Sequence, residues 1–532
     1  MSRLRVVRAF VLLTGFFLLG FVLLAALGAL DWLLVSRAAA GAPTSLLQGG
    51  ALTASLLLAV AIVQGMFAFL RAGRLRKEEG AVAVTPDAQP ELWALVRAAA
   101  EATGEQPPDE LYLDAQVNAA VSEASRMLGL LPGRRRMRIG VPLLVGMTVQ
   151  QLRGVLAHEF GHYANLDTRL GGVIMRGRAA VLHTVEVFGR SQTWFHEAVG
   201  MLYVRYAHLY LRTSQAVGRE QELAADRTAA RHAGRDATVS SLRAMPVLDA
   251  AYEHYLTAYA GVGERLGVLP PRGEVYGGFR RMMAGRSLED LAEFSAGQTP
   301  PRPHEYDSHP PIAERVALIQ ALPEDGRTAE PDDARPALTL LREADAVFTA
   351  LEACTLGPTD STVPRASWDD LVMARAVAEA QEESRPLQVA TARALRAESA
   401  DDRAGRPAGS VADDALPCLE DVLDAVDRGL LWMEIADRIP KPQQASWLTG
   451  ASARNFVRPS VFNGLAGLVH LRLVQAGQVT PDLAWSGHSP GLALPGEWAR
   501  HMDEALDAAV ADTPDTALLR SLLAGVASEV AR

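Results

Sequence analysis

Apolar residues follow two different patterns along this chain. The first 77 positions hold two nearly unbroken apolar runs, Ala9 to Leu34 and Leu46 to Leu70, with Asp31 and Gln64 as the notable interruptions. Each run exceeds the roughly 20 residues that carry a helix across a bilayer. A short, turn-rich stretch from Val35 to Ser45 joins them, so the pair predicts a transmembrane hairpin. Past Lys77 the pattern becomes amphipathic. Residues 85–105 place Leu92, Leu95, Val96 and Ala99 on one helical side, and Pro107-Pro108 breaks the chain after them. Glu110–Asp114, Val117–Val121 and Met137–Val141 then read as short strands. Thr148 and Gln151 form a capping-box pair at the head of a helix whose stripe is Leu152, Val155, Leu156 and Phe160. Tyr163 to Asp167 ends that helix in turn-forming residues. Residues 170–189 and 194–217 are moderately apolar but carry Arg176, Arg178, His183, Arg205, His208 and Arg212. Charges at a bilayer centre are costly, so these segments are expected as amphipathic helices packed on the domain or against the membrane surface.

Charge fixes an orientation for the hairpin. Arg3, Arg5 and Arg8 precede the first run, Arg71, Arg74, Arg76 and Lys77 follow the second, and the connecting loop offers only Arg37. The positive-inside rule therefore expects both flanks, and the chain after Lys77, on the cytoplasmic side of an inner or plasma membrane. A cleaved signal peptide ending near Ala38-Ala39-Ala40 is the rival reading. The first run is long for that, and a second follows it. The chain is 49% hydrophobic with a formal net charge of −10 and no basic stripe interleaved with aromatics, which argues against nucleic acid as a partner. Cys354 and Cys418 are too few and too far apart for a disulfide framework or a metal site, and are expected as small buried residues.

The chemistry is concentrated in His158-Glu159-Phe160-Gly161-His162. Positions i and i+4 of a helix share a face, so both imidazoles can reach one ion, and the adjacent carboxylate of Glu159 can take a proton from a water. A chance match in a chain this long occurs at roughly the one-per-cent level, and an exposed helix carrying two His and a Glu is the alternative. Gly161 costs about 1 kcal/mol in a helix interior relative to Ala, so close approach of a backbone or substrate is expected there. A catalytic zinc takes three protein ligands. Glu222 and Asp226, one turn apart on an Ala-rich helical stretch, are the best candidates downstream. Glu222 can complete a His-His-Glu set, and Asp226 can accept the free ring N–H of a ligating His. A solvated acidic helix face is the competing reading.

Together, His158-Glu159-x-x-His162 and Arg219-x-x-Glu222-x-x-Ala225-Asp226 resemble the HtpX-like and CAAX-prenyl-endopeptidase group of membrane zinc metallopeptidases. Asn118-Ala119, Leu156-Ala157 and Ser308-His309-Pro310-Pro311 with Glu314-Arg315 extend the resemblance over residues 85–320. It implies one Zn²⁺ per chain held by His158, His162 and Glu222, with Glu159 as general base and Asp226 behind the ligands. It also implies that Asn118 lies beside a substrate-pairing edge strand, and that His309 and Arg315 approach the cleft, His309 to hydrogen-bond the oxyanion. A histidine that merely starts a helix before Pro310-Pro311 is the other reading of His309. Members of the HtpX-like group carry further transmembrane segments between the metal helix and the Glu ligand. The charged segments here point instead to cleavage of soluble or membrane-proximal polypeptide.

After Leu322 the sequence turns acidic, Pro331 and Pro336 punctuate a linker, and helical patterns return around Leu338–Leu351, Leu419–Ile439, Val461–Leu473, Glu497–Val510 and from Thr516. Ser399 to Asp414 reads as a flexible linker. Trp368, Trp432 and Trp447 are expected in the core. The expected fold is mainly α with a small β-sheet, divided into a membrane anchor (1–77), a zincin-like α+β metallopeptidase domain (78–322) and a helical accessory domain (323–532). By elimination, the accessory domain serves substrate capture, regulation, homo-oligomer formation or adaptor binding. The expected function is a membrane-anchored zinc endopeptidase acting on membrane-associated or misfolded proteins. The alternatives are a docking platform built on the same fold and a prenyl-protein processing protease.

Overall fold

The computed structural model describes residues 3–40, 46–71, 79–123, 134–164, 174–186 (except 175, 176 and 179), 194–287, 289–293 (except 292), 310–323, 334–402 and 416–530 (except 446 and 488). His309, most of the expected linker at 399–414 and most of the acidic linker after Leu322 lie outside them. The chain is mainly helical with a small mixed sheet, and it divides into two compact units. The first comprises Met1–His254 and Tyr276–Asp360, the second Tyr255–Val275 and Ser361–Arg532.

In the first unit the two apolar runs form helices α1 (Arg3–Ala39) and α2 (Leu46–Arg71). Both are long and apolar enough to cross a membrane. Toward the end where the chain passes from one to the other, the hydroxyl of Ser55 donates to Asp31 Oδ2 at 2.8 Å. Strands β1 (Val82–Val84), β2 (Glu110–Asp114), β3 (Ala119–Glu123) and β4 (Arg135–Gly140) make one sheet in the order β1-β2-β4-β3. The β2–β4 pair is parallel and the other two pairs are antiparallel, so β3 forms one edge. Period-two alternation buries Leu111 and Leu113 of β2. On the opposite face, Glu110 and Asp114 pair with Arg136 and Arg138 of β4. Strand β1 is too short to announce itself by alternation.

Helices α3 (Pro90–Ala102) and α5 (Val149–Ala164) pack together, the short α4 (Val141–Gly146) lying between them in sequence, with Leu92, Val96, Leu152, Leu156 and Phe160 fully buried. The expected capping box is present at the head of α5. The Thr148 N–H donates to Gln151 Oε1 at 2.9 Å, and the Gln151 N–H donates to Thr148 Oγ1 at 3.2 Å. Backbone bonds from Val149 N–H to the Arg335 carbonyl and from Ala337 N–H to the Met147 carbonyl clamp the later chain across the same helix start.

The amphipathic helix expected over 194–217 is present and longer than its expected bounds. Residues 194–232 form one continuous helix, α6 (Trp194–His232). Tyr203, Ala207, Tyr210 and Leu211 recur on one face of α6 and are buried against Leu13 and Phe16 of α1, Leu58 and Ile62 of α2, and Ala180 and Val181. The hydroxyl of Tyr206 donates to the Leu12 carbonyl, and that of Tyr210 to the Ile174 carbonyl. Arg205 and His208 point to the exposed side of the same helix. The segment therefore joins the apolar hairpin in a helical cluster, then continues within the same unit to Glu222.

The second unit is helical around a core that includes Leu387, Val422, Leu423, Ile435, Val461, Leu465 and Leu506. Its longest element, α9 (Trp368–Asp402), lies along α11 (Gly450–Gln475), with α10 (Leu419–Asp427) between them in sequence. A Cβ at Gly467 would stand 2.6 Å from the Ala380 carbonyl oxygen, so this contact requires glycine. Three expectations are corrected here and in the first unit. Trp368 and Trp432 are buried, but Trp447 is 75% exposed. Cys418 lies at the exposed start of α10, and Cys354 on the exposed side of α8 (Ala344–Leu356) in the first unit. Thiols and indoles carry no positional signal in a single sequence, and periodicity around them was too weak to assign a face.

Candidate metal centre

Helix α5 presents His158 and His162 one turn apart, their ring centroids 4.8 Å apart and nearly perpendicular at 83°. Helix α6 brings Glu222 against both. Its Oε2 lies 3.5 Å from His158 Nε2, and its Oε1 lies 3.6 Å from His162 Nε2. Tetrahedral ligands at the usual zinc distances stand about 3.3–3.4 Å from one another, so this separation suits a single ion. Glu159 also has a carboxylate oxygen in the group, within 4.8 Å of the histidine donors. By proximity alone Glu159 could be counted as a ligand in place of Glu222. Glu222 is buried and stands between the two Nε2 atoms.

Behind the donors, His158 Nδ1 lies 3.0 Å from Asp226 Oδ1. A carboxylate accepting the Nδ1 proton fixes the tautomer and turns the Nε2 lone pair toward Glu222 and His162. Burial by itself would lower the pKa of His158, but acceptance by Asp226 and Glu222 outweighs it and pushes the group up to about 9. Burial would raise the Asp226 carboxyl. Hydrogen bonds from Arg315 and His158 overcome that and hold it below the usual carboxylate range.

Two contacts set the spacing. A Cβ at Gly161 would stand 3.1 Å from the Ala225 Cα and carbonyl oxygen, so the absent side chain lets α5 approach the backbone of α6. Gly161→Val is expected to cost about 1–3 kcal/mol by overpacking and to lower metal content by forcing Glu222 away from the histidines. Thermal unfolding and metal analysis check this, and an unchanged melting temperature would contradict the close-approach explanation. Two residues on, the Tyr163 hydroxyl donates to the Val121 carbonyl at 2.8 Å and ties α5 to edge strand β3. Burial pushes Tyr163 up to about 12, so it stays a neutral donor. Arg135 lies over its ring at 5.1 Å.

The structure thus gathers His158, Glu159, His162, Glu222, Asp226 and Arg315. Asn118 stands at the start of β3 with an exposed side chain, while its carbonyl accepts the Gly140 N–H at 2.8 Å. Arg315, expected to approach the cleft, is 8% exposed and paired with Asp226. Tyr163 was not among the sequence-derived site residues; its place directly after His162 was the available signal. A cavity of about 760 Å³ opens elsewhere, at the amino-terminal end of α5, lined by Met147, Thr148, Gln151, Leu248 and Met283 among others. None of the donors lines it.

Comparison with known proteins adds an independent line. The family described as Peptidase family M48 matches residues 86–322. Protease HtpX of Shewanella denitrificans is 24% identical over 259 residues, spanning 45% of this chain and 77% of that protein. No solved structure matches the chain.

Proposed function

Through residues 86–322 this chain is a member of peptidase family M48, and on that premise we propose that it is a membrane-anchored zinc endopeptidase. The observation that carries the proposal is the convergence of both Nε2 atoms on the two oxygens of Glu222 at 3.5 and 3.6 Å. His158, His162 and Glu222 would hold the ion. When bound, zinc supplies Lewis acidity, acidifying a water and polarising the scissile carbonyl. Glu159 would take a proton from the attacking water and deliver it to the departing amine. The family resemblance gives His309 the role of hydrogen-bonding the oxygen of the attacked carbonyl. An extended substrate segment pairs with edge strand β3, with Asn118 at its start.

The substrates are polypeptides near a membrane. Leu211 shares a buried cluster with Leu13 of the apolar hairpin. Glu222 follows on the same helix, about 16 Å further along its axis at 1.5 Å per residue. With the basic flanks held in the cytoplasm, the site stands on that side and within reach of segments emerging from the bilayer.

Purified full-length protein is expected to contain one zinc per chain and to hydrolyse casein, and a chelator should abolish the hydrolysis. Glu222→Ala is expected to lose most of its zinc. Zinc bound without hydrolysis would turn the reading toward a docking platform. Unchanged zinc in Glu222→Ala would remove that residue from the ligand set.

A further inference from the structure

We infer that Arg315 is a positioning residue for the metal ligands and has no contact with substrate. The inference rests on the metallopeptidase reading above. Arg315 lies on α7 (Ile312–Gln320), far in sequence from either metal-bearing helix, and reaches back into the centre. Its Nε donates to Asp226 Oδ2 at 2.8 Å and its Nη2 to Asp226 Oδ1 at 2.6 Å, a two-pronged contact. The remaining nitrogen, Nη1, lies 3.5 Å from Glu222 Oε2. Nη2 also lies 3.4 and 3.5 Å from the two ring nitrogens of His158. All three guanidinium nitrogens therefore face the ligand side of the centre.

The geometry has two physical consequences. Glu222 and Asp226 are 5% and 2% exposed and stand one turn apart on α6, so their charges repel where water cannot screen them. A guanidinium between them offsets that repulsion. The second consequence is orientation. A carboxylate held by a single partner turns easily about its last torsion, which is broad. Here the planar fork engages both Asp226 oxygens and fixes the plane of the group. Oδ1 in that plane is the acceptor 3.0 Å from His158 Nδ1, so fixing the carboxylate fixes the imidazole and the direction of its Nε2. A lysine could supply charge at this position but no plane.

The test uses full-length protein in detergent, comparing wild type with R315K, R315Q, D226N and the R315Q/D226N double variant. Zinc affinity is read by competition with a chromophoric chelator at fixed pH, and kcat and KM are read on a peptide with zinc saturating. R315Q is expected to weaken zinc binding about 10- to 100-fold, in the range found for groups supporting a metal ligand. R315K is expected to recover only part of that loss. In the D226N background, R315Q should add little, because the group it acts on is already altered. With zinc saturating, R315Q should lower kcat and leave KM unchanged. Wild-type zinc affinity with a raised KM would make Arg315 a substrate contact and overturn the inference. Equal losses in both backgrounds would also overturn it, by separating Arg315 from Asp226. If R315Q fails to fold, wild-type affinity in folded R315K would overturn the role given to the fork. Failure of the wild type to bind zinc would instead sink the metallopeptidase reading, and this inference with it.

Discussion

Glu159→Gln is expected to bind one zinc per chain as the wild type does and to lose about 10²- to 10⁴-fold in kcat, the usual contribution of a positioned general base. The amide keeps the shape and nearly the volume of the carboxylate, so the helix and the packing around Phe160 should be undisturbed. What changes is basicity, since an amide cannot take a proton from water at neutral pH. The prediction separates the two roles that proximity alone leaves mixed. Glu159 lies within 4.8 Å of the histidine donors and could be mistaken for a ligand. If it were one, Glu159→Gln would lose metal together with activity. If Glu222 is the ligand and Glu159 the base, metal content and turnover part company. Metal analysis on the same preparation used for peptide hydrolysis decides the matter, and full proteolysis by the clean variant would end the general-base assignment.

The parts of this centre that were legible in the sequence are those set by local geometry. Helical periodicity alone puts His158 above His162, and Glu222 above Asp226, and the Thr148–Gln151 capping box fixes where the first of those helices begins. The strand at 110–114 was legible through its alternation and the Pro107-Pro108 break, and the strand expected at 137–141 overlaps the observed one at 135–140. Contacts between distant segments were not. Nothing in Glu314-Arg315 says that the guanidinium turns inward to Asp226, because burial of a charge depends on which helix arrives beside it. The two faces of 194–217 were legible, with Arg205 and His208 on the exposed side and Tyr203, Ala207, Tyr210 and Leu211 on the buried one. Its continuity with the helix carrying Glu222 was not, because Gly218 stands where the two patterns meet and tertiary packing carries the helix through it. Trp447 was misplaced because an aromatic side chain alone suggested core, and the fold left it in solvent.

Zinc affinity is expected to fall about tenfold for each pH unit below 9, down toward the ordinary histidine range, through a single proton. The sign follows from His158. Its folded pKa, about 9, lies above its ordinary value of 6.5 because its hydrogen bonds to Asp226 and Glu222 outweigh the effect of burial. Only the neutral imidazole can offer Nε2 to a metal, so below pH 9 each ion that binds must expel a proton. Affinity therefore rises with pH and levels off above 9. Metal-free protein behaves in the opposite sense. A raised histidine pKa stabilises the fold fully below 6.5, and that contribution, on the order of 3 kcal/mol, is lost as pH rises through 9. Melting temperatures of the metal-free and zinc-loaded protein should accordingly diverge between pH 6.5 and 9, the first falling while the gain from zinc at fixed free metal grows. Calorimetry in buffers of different ionisation enthalpy counts the proton directly. In Asp226→Asn the strongest acceptor for the charged ring is gone, so the midpoint should move down toward 6.5 and the divergence should shrink. A zinc affinity that is flat between pH 7 and 9 in the wild type would mean that His158 is already neutral there, and that Asp226 orients the ring without holding a proton on it.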